Sequence, residues 1–128
     1  MLLARIPLYF AVWLLIPLSN LSAEWTITAN TKHDTQYIDR NSLLIKGEIR
    51  RIWGLSDYKK DDQKTKVNSA RYLKEINCKQ AKERLLSFIV YSEQMGLGDA
   101  LAVAPMKTWR TVPENTAAMM TLKFVCAL

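Results

Sequence analysis

The sequence predicts an α+β domain: an antiparallel sheet of about six strands, with a C-terminal helix packed on one face and tied to it by a disulfide. Three observations carry this. Successive segments alternate apolar and polar residues with period two. One closing segment repeats its apolar residues at helical spacing. The chain has two cysteines, Cys78 and Cys126, and an export-type start.

The first 23 residues read as a secretory leader. Arg5 gives a short positive start, Pro7 to Leu18 is apolar, and Asn20-Leu21-Ser22-Ala23 is a small, polar exit. Cleavage is expected after Ala23. The apolar core falls short of the ~20 residues that span a bilayer, so no stable transmembrane anchor is expected after cleavage. Residues 24–128 then form a single domain. Export favours oxidation of the two cysteines to one bridge. A loop of about 50 residues closed in this way stabilises by roughly 4 kcal/mol.

Taken in order, Glu24 to Ala29 alternates Trp25, Ile27 and Ala29 with polar residues, a half-buried strand. Asn30 to Asp34 is a polar turn, and Gln36 to Asp39 is a second strand hairpinned to the first. Ser42 to Ile45 reads as a helical turn or an extended link. Glu48 to Lys59 is the longest strand. Ile49, Arg51, Trp53 and Leu55 share one face; Arg50, Ile52 and Tyr58 share the other. Neither face is cleanly polar, so the strand is central. Gly54 in its middle marks a bulge or a close contact.

Lys59 to Ser69 is a polar run and the one long loop. Ala70 to Cys78 is a strand with Tyr72, Ile76 and Cys78 on one side and Leu73 and Glu75 on the other. In Glu83 to Ser92, Leu86, Phe88 and Val90 alternate with Leu85, Ile89 and Tyr91, which predicts another central strand. Helix competes over Lys79 to Leu86, but the β-branched and aromatic tail favours strand. Glu93 to Gly98 is a turn, Asp99 to Ala104 a weak strand, and Thr108 to Val112 a short edge segment. Pro113 to Thr116 opens the helix. Ala118, Met119, Leu122, Val125 and Cys126 form its apolar stripe, so a bridge to Cys78 would pin the buried face to the sheet.

The net charge of +6 suits a soluble basic domain, and export argues against a nucleic-acid partner. The residues show no catalytic constellation, so no enzyme activity is expected. His33 is the single histidine, flanked by Lys32 and Asp34 in a polar turn. No zinc spacing exists, and no metal or cofactor is expected. Met95-Gly96-Leu97-Gly98 lacks the lysine of a phosphate loop. Asp39 and Asp57 are the carboxylates that could face each other as an acid pair, although strand-end hydrogen bonding explains them as well. Trp25, Trp53 and Trp109 belong mostly in a core, with an exposed anchor patch beside Arg50, Arg51 and Arg110 as the alternative.

In order and spacing the chain resembles a known family. The first half is carried by Trp25, Tyr37-Ile38-Asp39, Ser42, Gly47, Arg50-Arg51-Ile52-Trp53, Leu55 and Asp57-Tyr58-Lys59. The second is carried by Ser69, Tyr72, Glu75, Cys78, Arg84-Leu85-Leu86, Tyr91-Ser92, Met95-Gly96-Leu97-Gly98, Trp109, Val112-Pro113 and Leu122, Val125 and Cys126. The set is similar to the surface-adhesin protein E family of Gram-negative bacteria. The resemblance implies a sheet whose concave face holds the disulfide-tied helix. It also implies a non-enzymatic surface domain with a protein partner, a host matrix or serum protein such as laminin, vitronectin or plasminogen. The candidate contact residues are Arg50, Arg51, Lys59, Lys60, Lys64 and Lys66. The type member is lipid-anchored, whereas no cysteine stands at this cleavage site. The alternative is a periplasmic structural or envelope-interaction domain with no adhesin role. The expected location is accordingly exported: periplasm, outer-membrane surface or extracellular.

Overall fold

The computed structural model describes residues 23–59 and 66–128. Residues 1–22 of the leader, and Lys60 and Lys64 in the long loop, lie outside the described residues.

The alternating segments form strands, and each finds an antiparallel partner. β1 (Trp25–Asn30) and β2 (Asp34–Asp39) make the first hairpin. A 3-10 turn at Arg40–Ser42 leads to β3 (Leu44–Lys46), which settles the helix-or-link choice in favour of both a turn and a short strand. β4 (Ile49–Tyr58), β5 (Ser69–Asn77) and β6 (Lys82–Tyr91) are the long central strands. β7 (Ala100–Val103) and β8 (Arg110–Thr111) follow, then α1 (Ala117–Cys126). The sheet order is β1-β2-β4-β5-β6-β7, with β3 added to β4 and β8 to β6. Six strands make the continuous path, and the two short ones bring the described sheet to eight.

Helix does not form at Lys79 to Leu86: residues 79–81 are a turn and Lys82 to Leu85 pair along β5. The pairing runs from Asn77↔Lys82 to Ser69↔Tyr91, with a bulge opposite Leu73/Lys74. The bulge changes the face assignment. Strict alternation sets Leu86 with Phe88, but Leu85 pairs Lys74 and Phe88 pairs Tyr72, so Leu85 and Phe88 share a face and Leu86 is the extra residue.

α1 starts later than its proline suggests. Thr116 is the N-cap and accepts from the Met119 amide at 3.2 Å, while Pro113 stays in the preceding turn, its carbonyl accepting from Thr116 Oγ1 at 2.7 Å. Lys123 lies in the last turn, where a positive charge suits the helix dipole. The stripe Met119, Leu122 and Val125 packs on Ile38, Ile52, Ile76 and Val112. Cys78 and Cys126 are bonded, with Cα atoms 5.8 Å apart, so the helix end is stapled beyond the end of β5. Thr28 and Thr121 hydroxyls meet at 2.8 Å and tie the helix to β1. The core thus sits on one face of the sheet, mainly over β2, β4 and the end of β5.

Candidate functional site

Alternation sends the odd-numbered residues of β4 and β5 to the face turned away from α1. There the cross-strand pairs are Leu55↔Arg71, Trp53↔Leu73 and Arg51↔Glu75. Arg71 extends over this face with its guanidinium carbon 5.0 Å from the Trp53 ring centre and 5.9 Å from that of Trp25. Trp25 is on β1, so the two side chains lean across the strands between them. Stacking of this kind holds a guanidinium flat against the ring.

Beside this stack lies a second one. Glu75 accepts from Arg84 Nε at 2.8 Å, from Arg84 Nη2 at 2.6 Å and from Arg51 Nη2 at 3.2 Å. Burial works to raise the Glu75 pKa, and the hydrogen bonds and charges of Arg84 and Arg51 outweigh it, leaving the carboxyl below its ordinary value. Arg84 in turn lies 4.6 Å over the Trp109 ring. Three guanidiniums and three half-buried tryptophans therefore share one face with a single bridging carboxylate among them.

The Glu93 to Gly98 turn rims this face. Met95 and Gly96 both take positive φ, at 57° and 70°. This aims the Met95 amide at Asp57 Oδ1 (2.8 Å) and the Gly96 amide at Ser69 Oγ (2.8 Å). The turn closes over Leu55, which is fully buried although it lies away from the helix. Leu97 stays exposed at the rim.

The residues expected to touch a partner are spread out. Arg51 is on the tryptophan face. Arg50 is on the opposite one and donates to the Gly47 carbonyl at 2.8 Å. Lys59 stands eight residues along β4 from Arg51, roughly 26 Å in an extended strand. Its ammonium is held by Asn30 Oδ1 at 2.7 Å and the Thr31 carbonyl at 2.6 Å. Lys66 is exposed at the same end of the sheet. Arg110 pairs with Glu83 on the helix face, so it does not join the tryptophans. Arg71 and Arg84, which do, were missed by the reading of the sequence. The available signal was parity: both fall on the face of Trp53 once the register is known.

The carboxylates considered for acid–base work serve the backbone instead. Asp39 Oδ1 accepts from the amides of Glu24 (2.9 Å) and Asn41 (3.0 Å). Asp57 pairs with Thr35, four residues from Asp39 on β2 and so roughly 13 Å away along the strand. Among the described residues no group of His, Cys, Asp and Glu gathers that could hold a metal ion. No helix among them is long and apolar enough to cross a membrane.

A twisted antiparallel sheet, backed on one face by a disulfide-stapled helix and bearing arginines on tryptophans on the other, is the class of protein these elements define. Residues 25–127 match the family described as Surface-adhesin protein E, and the chain belongs to that family. Solved structures of Haemophilus influenzae protein E share the fold. One crystal form is 17% identical, covers 83% of this chain and 96% of its own, and superposes with a TM-score of 0.60. The protein from a non-typeable strain is 18% identical, covers 88% and 82%, and gives 0.58. No curated protein sequence matches the chain.

Proposed function

We propose that residues 24–128 form an exported, non-enzymatic adhesin domain, released from its leader after Ala23, that binds a protein partner through the Trp25–Arg71–Trp53 face. The observation that supports this reading is the pair of arginines lying on half-buried tryptophans. Tryptophan and arginine dominate binding energy at protein interfaces because a flat ring and a flat cation give large contact area for little lost entropy. The flanking Arg51–Glu75–Arg84 network adds charge that orients a partner and selects its sign. Arg50, Lys59, Lys60, Lys64 and Lys66 act at most as a peripheral positive field under this reading, with Arg51 inside the contact.

Family membership supports a matrix or serum protein of a host as that partner, with laminin, vitronectin and plasminogen the first to test. Purified protein is passed over each, immobilised, alongside Arg71→Ala and Trp53→Ala. Binding by the wild type that both variants weaken supports the proposal; equal binding by all three proteins would remove the face from it. Protease shaving of intact cells tests display. A chain that stays wholly protected serves inside the envelope instead.

A further inference from the structure

The helix covers only part of its side of the sheet. Towards β6 the same face carries Tyr72, Leu85 and Phe88, and the last two are only half-buried. The bulge in β6 gathers them on one side, and the segment before β8 crosses nearby, held by the Leu85 amide donating to the Met106 carbonyl at 2.8 Å. Together with Ala118 at the start of α1 these residues enclose a cleft of about 300 Å³. That is the lower end of the range for ligand pockets, roughly 300–1,000 Å³, so only a small molecule fits.

The cleft also holds charge where charge is costly. Lys74 is 6% exposed and Glu83 2%, and both line it. Lys74 Nζ is 2.9 Å from Glu83 Oε2, a buried ion pair. The other close neighbour of the ammonium is the Tyr72 ring, 5.0 Å away. Glu83 Oε1 accepts from Arg110 Nε at 3.0 Å and from Nη2 as well. Two cations thus serve one carboxylate. Arg84 adds nothing here, because its guanidinium bonds Glu75 on the opposite face. Gln36, Ser56 and Thr108 complete the polar lining and are neutral.

We propose that this cleft is a binding site for a small amphipathic monoanion, an acyl carboxylate, with its carboxylate at Lys74 and Arg110 and its chain along Tyr72, Leu85, Phe88 and Met106. One excess positive charge matches one negative charge. A cation would meet Lys74 and Arg110 head on. A dianion would bring a second charge into apolar walls with nothing to meet it, and desolvating an unpaired charge is strongly unfavourable. A neutral chain would gain the apolar contact alone and leave the excess positive charge of Lys74 and Arg110 over Glu83 unmatched.

The site lies on the opposite side of the sheet from the tryptophan face, so it stands or falls separately from the adhesin reading. The experiment is calorimetric titration of the full domain with decanoate, decanol and decylamine. Arg110→Gln and Met106→Glu are titrated beside the wild type. Met106 is 66% exposed, so its change leaves the core alone, whereas Arg110, its side chain 59% exposed, also bonds the buried Glu83, so a stability measurement accompanies Arg110→Gln. Decanoate binds the wild type saturably at one site, and decanol more weakly. Arg110→Gln weakens decanoate about tenfold, the loss of one charge-assisted hydrogen bond. Met106→Glu, which replaces an apolar contact of the chain with a like charge at the mouth, weakens decanoate more than it weakens decanol. Absence of saturable decanoate binding, equal binding of decylamine, or decanoate binding unchanged in both variants would overturn the proposal. Should Arg110→Gln fail to fold, Met106→Glu decides alone.

Discussion

Gly54 lies directly across the strand pair from Tyr72, and the ring of Tyr72 occupies the space that a side chain at Gly54 would fill. A Cβ there would overlap ring carbons Cε2 and Cζ and stand 2.8 Å from Oη. The glycine is required by close approach, since its backbone is ordinary extended strand. Tyr72 is in turn the ring under Lys74, so this one missing side chain reaches as far as the cleft.

Gly54→Ala is therefore expected to destabilise by about 1–3 kcal/mol, the usual range for forcing extra volume into a packed interior. Urea unfolding measures it. In a Tyr72→Ala background the same substitution should cost much less, because the clash is gone. Equal costs in both backgrounds would show that the ring is not what excludes the methyl group.

Cys126→Ser opens the only disulfide among the described residues, closing a separation of 48 residues. The expected loss is about 4 kcal/mol, within a usual range of roughly 2–5. The wild type in reductant should match the variant. The variant's midpoint should be insensitive to reductant, which separates the bridge from the packing of the Cys126 side chain.

Glu83 makes stability depend on acid. Burial works to raise its pKa, but Lys74 and Arg110 outweigh burial and hold it below the ordinary carboxylate range. Its stabilising contribution is then complete above the unfolded pKa of about 4.3 and is lost as pH falls through the lower folded value. Glu75 behaves the same way. Glu83→Gln should be less stable at neutral pH by about 3 kcal/mol, since it strands a buried ammonium. It should also show a shallower loss of stability on acidification. Denaturant midpoints across the acid range give both numbers, and parallel curves for variant and wild type would contradict this assignment.

Trp53→Ala is expected to cost less than the 3–5 kcal/mol of a fully buried aromatic, nearer to about 2 kcal/mol, because the ring is half-buried and one of its faces is shared with Arg71. Thermal unfolding checks it. A loss at the fully buried value would place this tryptophan in the core and weaken its claim to a partner.

Much of the fold was legible because it rests on periodicity. Ile49, Trp53 and Leu55 share one face of β4 as their spacing predicts, and the stripe Met119, Leu122 and Val125 repeats at helical spacing; a pattern of that kind needs no partner to be recognised. The face parity of β4 was legible for the same reason. What failed was the alternation in β6 past Leu86 and in β1 past Ile27, where a register shift buries Ala29 on the helix side and leaves Ile27 exposed on the other face. A bulge depends on the neighbouring strand, and nothing local announces it. The short strands β3 and β8 were seen only as a link and an edge segment, because a run of two or three residues carries almost no period.

The candidate site divides along the same line. Its residue types were visible: tryptophans in excess of what a small core needs, and arginines near them. Which arginine meets which ring was not. Arg50, Arg51 and Arg110 are near tryptophans in sequence, yet only Arg51 shares their face, while Arg71 and Arg84 come from strands far along the chain.

The sequence by itself determined where the long strands and the helical stripe run, the bond between Cys78 and Cys126 and the family, because the first two are written in local spacing, the bond in a pair of cysteines on an export-type chain and the family in collinear order. Only the tertiary structure decided that Arg71 lies between Trp25 and Trp53, that Glu83 is shared by Lys74 and Arg110, and that the helix leaves a cleft beside them. Those are matters of register and coverage. One residue of slip turns a side chain to the other face, so they are settled by how strands pair and not by what any strand contains.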